Sequence, residues 1–171
     1  MLFRSRLRSA ALRYARGGWA VLPESVVDLS QASVDPDQVA AWWPRARSQE
    51  AVCLPTGRSF DVLDVSTVLG AHAVRIMECR SGPHPAAIRT PDRWLFFTAP
   101  ATGSEPIWDT RLDILHRGPG GMVKAPPSPG AGHWVWHWEL RHHCLPALAT
   151  VLEALTVAHQ LSSEQVFQEA Y

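Results

Sequence analysis

Phe60-Asp61-Val62-Leu63-Asp64-Val65 runs straight into Ser66-Thr67-Val68-Leu69, and the fold turns on this junction. The first six residues are β-branched, aromatic or aliphatic apart from two acids, a composition that predicts a strand. From Ser66 to Cys79 the period changes. Val68, Leu69, His72, Ile76 and Met77 recur at helical spacing, Ser66 or Thr67 is the natural N-cap, and Ser81-Gly82-Pro83 supplies the stop. A strand therefore feeds a helix with no loop between them. Because side chains alternate along a strand, the offset of three residues from Asp61 to Asp64 puts their carboxylates on opposite faces.

Working outward, residues 5 to 16 place Leu7, Ala10, Ala11, Tyr14 and Ala15 at helical spacing, and Gly17-Gly18 ends that helix. Trp19-Ala20-Val21-Leu22 follows as a short strand closed by Pro23. Asp35 as N-cap and Pro36 at the first helical position open a helix through Val39, Ala40 and Trp43, which Pro44 ends. Ala51-Val52-Cys53 is a strand, as are Arg93 to Thr98, Leu112 to Leu115 and Met122 to Ala125, the last two separated by the glycine-rich Arg117 to Gly121. His133 to Glu139 alternates, with Trp134, Trp136 and Trp138 on one face. A helix from about Pro146 to Gln160 and a shorter one capped by Ser162 or Ser163 close the chain, as C-terminal helices over 146–170. There is no internal repeat. Strands mixed with helices in this order predict an α+β or α/β domain on a mainly antiparallel or mixed sheet.

A chain of 171 residues, 46% hydrophobic and 19% charged, suits one domain, 1–171, with a sizeable core. No apolar run approaches the roughly 20 residues of a membrane span, so no membrane association is expected. The basic N-terminus has neither an apolar h-region nor a cleavage site, and the expected location is cytoplasmic. Cys53, Cys79 and Cys144 are widely spaced with no C-x-x-C, which predicts buried free thiols rather than a disulfide framework or a cysteine zinc site. Sixteen basic residues balance sixteen acidic ones, so attraction to nucleic acid requires a local patch. Arg4, Arg6, Arg8, Arg13 and Arg16 form one candidate, with a solvated helix face as the commoner use of such a run.

Several stretches, in order, resemble the N-terminal domain of bifunctional DNA primase/polymerases, most strongly over 10–138. Ala11-Leu12-Arg13-Tyr14-Ala15-Arg16-Gly17-Gly18-Trp19-Ala20-Val21-Leu22-Pro23 is similar to the A-x-x-Y-A-x-x-G-W-x-V-x-P opening of that family. Leu54-Pro55-Thr56-Gly57 with Phe60 to Val65 resembles its P-T-G loop and first acid-bearing strand. Thr90-Pro91 before Leu95-Phe96-Phe97 resembles the strand of its histidine, and Met122 to Ser128 its v-x-A-P-P-S segment. The resemblance implies the prim-pol fold of the archaeo-eukaryotic primases: α+β, a small helix-containing module on an RRM-like mixed or antiparallel sheet flanked by helices.

It also implies a chemistry. Template-dependent nucleotidyl transfer in such a domain needs two divalent ions, about 4 Å apart, held by bridging carboxylates. The family supplies an acid-x-acid pair on one strand and a third acid on a neighbour. Here the pair reads Asp64-Val65-Ser66, so a hydroxyl replaces the second acid, and Ser66 is better explained as a helix cap. The residue three before Phe97, where the family has its histidine, is Trp94, which has one donor and no acceptor. Asp113 matches the third acid, with a longer loop to Pro126 than usual and an ordinary strand-end acid as the alternative. Asp64 and Asp113 are thus the expected catalytic and metal-binding residues, holding Mg or Mn weakly or not at all. Arg58, Arg93 and Lys124 are the basic side chains expected to contact a nucleotide, each with a plain surface role as its alternative. The expectation is a degenerate primase/polymerase domain with weak or lost activity. The rival is a non-catalytic module on the same fold that binds a nucleotide, DNA or a protein partner.

Two other sites are weighed less. On a strand, His133 and His137 lie roughly 13 Å apart, too far to share an ion, so no zinc is expected. The tryptophan row is a candidate base-stacking platform, but a core face is the more frequent use of such alternation.

Overall fold

The computed structural model describes residues 2–44, 49–79, 84–103, 112–136 and 144–168, the side chains of 2–5, 136 and 163–168 excepted. Helix α1 (Leu2–Arg16) ends where expected. Gly18 takes a positive φ of 84°, and Trp19 N–H donates to the Tyr14 carbonyl. That bond ties Trp19 to the end of the helix, so β1 begins later than the apolar run suggests, at Leu22–Pro23. In α2 (Pro36–Trp42) the Asp35 carboxylate accepts from Asp37 N–H at 3.0 Å.

Among the described residues, eight strands form two antiparallel sheets. Strands β1, β2 (Val52–Pro55) and β7 (Met122–Lys124) make a small sheet in the order β1-β2-β7. Strands β3 (Asp61–Ser66), β4 (Ala87–Arg89), β5 (Arg93–Thr98), β6 (Ile114–Arg117) and β8 (His133–Trp136) make the main one, in the order β6-β3-β5-β4-β8. Strand β3 is central, with Asp64 opposite Leu95 on one side and Leu115 on the other. It passes directly into α3 (Thr67–Glu78), and Ser66 Oγ accepts from Leu69 N–H at 3.4 Å as its cap.

The two faces of the main sheet bury different cores, as the alternation in β3 requires. Val62, Leu95, Phe97 and Ile88 pack with Leu7, Tyr14, Trp19, Trp43, Leu54 and Val123 of the helix-containing module. Leu63, Val65, Trp94 and Phe96 pack with Leu69 and Met77 of α3 and Leu152 and Leu155 of α4 (Leu148–Gln168). The architecture is the expected α+β arrangement, an antiparallel main sheet flanked by helices with a smaller module on its other face.

Three further elements depart from expectation, and of the three thiols expected to be buried only Cys53 is, Cys79 and Cys144 being exposed. Strand β4 follows Pro85 and is too short to show a period. Strand β6 starts two residues later than the apolar run from Leu112. The C-terminal segment is one helix rather than two: Ser162 Oγ donates back to the Ala158 carbonyl at 2.8 Å, so its hydroxyl is satisfied inside the helix and caps nothing. Residues 137–143, including His137, Trp138, His142 and His143, lie outside the described residues. No helix among the described residues is long and apolar enough to cross a membrane.

Candidate functional site

Asp64 projects from the middle of β3 toward the helix-containing module and is 3% exposed. Its carboxylate is surrounded by guanidinium groups. Arg93 Nε donates to Oδ1 at 2.6 Å; Arg117 Nε and Nη2 donate to Oδ2 at 3.0 and 2.5 Å. Arg93 also donates to the Asp64 carbonyl at 2.9 Å and, through Nη1, to Asp113 at 2.6 Å. Register explains the convergence. Arg93 stands opposite Ser66 on β5, and Arg117 stands opposite Val62 on β6, both on the face that carries Asp64. Burial by itself would lower the Arg93 pKa, but its bonds to Asp64 and then Asp113 outweigh that and hold it above the ordinary guanidinium value.

The structure thus joins Asp64 and Asp113, with Arg93 between them. Asp113 is the loose end, 63% of its side chain being exposed. Lys124 pairs with Glu24 at 2.6 Å, which raises its pKa, and lines a hollow of about 260 Å³ with Arg117, Thr90 and Gly130. Arg58 is exposed and lines a different hollow with Thr56, Gly57 and Pro119. Gly57 belongs there by necessity: it has a φ of +90°, and a Cβ would meet the Pro119 backbone at 2.2 Å. Arg117 was not anticipated. The glycines after it suggest a loop, but alternation counted onward from Asp113 through Leu115 aims Arg117 at the same face.

On the opposite face, Asp61 accepts from Ala101 N–H at 2.9 Å and pairs with His116 Nε2 at 2.9 Å. It is separate from the Asp64 cluster, as the offset of three residues requires. His116, one residue before Arg117, alternates with it in the same way.

The sequence model of the bifunctional DNA primase/polymerase N-terminal domain matches residues 11–150, a span that holds all the strands described above and the arginine cluster. The chain belongs to this family. A search of curated proteins found no match.

A primase/polymerase domain implies divalent ions, so the donor set at Asp64 bears on its chemistry. Two such ions bring four positive charges, whereas Asp64 and Asp113 offer two negative ones already matched by Arg93 and Arg117. Both Asp64 oxygens are taken, and among the described residues no group of three or more His, Cys, Asp or Glu side chains is placed to hold an ion. This set does not fit a two-ion centre. The Trp94 indole is 4% exposed and packs with Phe96 in the α3–α4 core, on the face of the sheet away from Asp64. On β5 the side chain that reaches Asp64 is Arg93. Ser66 shares the face of Asp64, as an acid-x-acid pair requires, with its hydroxyl turned to the helix.

Proposed function

We propose that this primase/polymerase domain has weak or no template-dependent nucleotidyl transfer, and that its former ion site is held closed by guanidinium groups. The observation that carries the reading is the capture of both Asp64 oxygens by Arg93 and Arg117. A guanidinium has a fixed charge and five donors but no coordination sites, so it can neutralise the carboxylate without activating a primer hydroxyl. Ser66 adds no charge. In this reading Asp64 and Asp113 are the catalytic and metal-binding residues in vestige, with Mg or Mn held weakly or not at all, and the chain acts as one cytoplasmic domain. The test is incorporation of labelled dNTP on a primed template with magnesium and then manganese, for wild type, Asp64→Ala and Ser66→Asp. The expected result is no extension by wild type in either metal. Efficient extension by wild type that Asp64→Ala abolishes would overturn the proposal.

One observation favours a second reading, in which the domain binds a nucleotide without turning it over. Arg117 and Lys124 flank one hollow next to the cluster, with the Thr90 hydroxyl nearby. Arg93, and more remotely Arg58, would supply further phosphate contacts on small shifts of their side chains. Calorimetric titration of dATP in EDTA tests it. Saturable binding weakened by Lys124→Ala supports it, and no heat of binding removes it.

A further inference from the structure

Strand β6 lies at one edge of the main sheet, and among the described residues its one strand neighbour is β3. Sheet edges are commonly blunted by a proline, an outward lysine or a bulge. Ile114-Leu115-His116-Arg117 has neither proline nor lysine, its register with β3 runs unbroken, and Leu115 is 52% exposed on the face of Asp64. Two residues to either side of Leu115, on that same face, stand Asp113 and Arg117. Each keeps one group in reserve. Arg93 takes Asp113 Oδ2 and leaves Oδ1, while Arg117 uses Nε and Nη2 on Asp64 and leaves Nη1. Neither atom has a partner among the described residues.

Acid, apolar and base at every second position form a pattern that is complementary to its own reversal. An antiparallel copy with a two-fold axis through Leu115 sets each Leu115 against its mate and each Asp113 against the partner subunit's Arg117. Main-chain parity agrees with that register. Thr90 N–H donates to the Arg93 carbonyl and Phe97 N–H to the Ala86 carbonyl, which turns these positions of β5 toward β4. Alternation carried across β5 and β3 then turns the main-chain groups of Leu115 and Arg117 toward β3 and points the Ile114 carbonyl out of the edge. Leu115 would thus meet its mate as a non-hydrogen-bonded pair, the closer kind, with Cα atoms about 4.5 Å apart. Asp113 stands at the apex of the turn that closes Ile114 N–H on the Leu112 carbonyl, and its exposed carboxylate can reach past the edge.

We propose that two copies of this chain pair antiparallel along β6 about a two-fold axis at Leu115, and that each copy's Asp113 completes the other's guanidinium cluster. Arg117 then bridges Asp64 of its own chain and Asp113 of the partner subunit. The proposal stands apart from the loss of nucleotidyl transfer, because assembly is read with no metal, nucleotide or DNA present.

The experiment is sedimentation equilibrium of the full chain across a concentration series. One strand edge makes a small interface, so the expected dissociation constant is about 10–100 µM, with twice the chain mass as the upper limit. Leu115→Lys places like charges face to face across the axis, and Asp113→Lys turns two attractions into repulsions. Each should weaken the dimer by at least about tenfold, whereas Arg75→Ala, at an exposed arginine on α3, should leave it unchanged. Both edge positions are exposed, and the far-UV spectrum checks that the variants keep the fold. Register is read by crosslinking in a Cys79→Ser, Cys144→Ser background, which removes the two exposed native thiols. With dioxygen and a copper catalyst as oxidant, Leu115→Cys should join two chains by a disulfide. Asp113→Cys, about 13 Å from its mate at 3.3 Å per residue, should not. A monomer at every concentration up to about tenfold above the expected constant would overturn the proposal. So would a dimer that Leu115→Lys and Asp113→Lys leave intact, or one that Asp113→Cys crosslinks and Leu115→Cys does not.

Discussion

Three guanidinium N–H groups converge on the two oxygens of Asp64, and the outcome for each partner depends on which side chain is removed. Asp64→Ala would leave Arg93 and Arg117 facing each other with no shared anion. Both are a third or so exposed, which lets water screen them, so the expected cost is about 1–3 kcal/mol rather than that of a fully buried charge, read as a lower urea midpoint. Arg93→Ala alone should cost less, because Arg117 still serves Asp64. Ser66→Asp makes a separate prediction. Aspartate caps helices as well as serine does, so α3 should survive and stability should stay within about 0.5 kcal/mol, while a new carboxylate joins the face of Asp64. A loss beyond 2 kcal/mol in chemical denaturation would show that the hydroxyl is needed for more than capping.

At the scale of elements, α3 lies on the sheet through a glycine. A Cβ at Gly70 would stand 2.4 Å from the Trp94 ring, with backbone and indole both fixed by their surroundings. Gly70→Ala is therefore expected to destabilise by about 1–3 kcal/mol despite the better helix propensity of alanine, as a lowered thermal midpoint would record. Elements with a complete local signature were legible in advance. α2 carried its cap and proline, β3 its β-branched run, and α1 its glycine stop. The rest depended on distant partners. Strand β4 is defined by pairing on both sides rather than by its own three residues. The offset of β6 hid Arg117, and so half of the carboxylate's neutralisation. Trp94 could be matched to a family position by counting, but only the sheet register shows which face it takes.

For the molecule as a whole, the smaller sheet contributes a pH dependence. Cys53 on β2 is fully buried, and burial, with Glu24 adding to it, pushes its thiol up from 9.0 to about 11. Burial likewise raises the Tyr14 hydroxyl above 10.0. Both folded values lie above the unfolded ones, so the neutral groups contribute stability that is complete below about pH 9 and is lost as pH climbs through 11. Urea denaturation at pH 8 and pH 10.5 should show that fall, and Cys53→Ala should flatten it. An equal fall in the variant would assign the effect elsewhere.

The strict alternation of β3 between two cores also bears on how such a chain can change over generations. Substitutions at Ser66, Arg93 or Arg117 alter the cluster one side chain at a time and leave the sheet in register. Inserting or deleting one residue within β3 would turn Asp64 toward α3 and α4 and exchange the apolar sets on the two faces at once. The site can therefore be rewritten letter by letter, but its reading frame within the strand cannot shift.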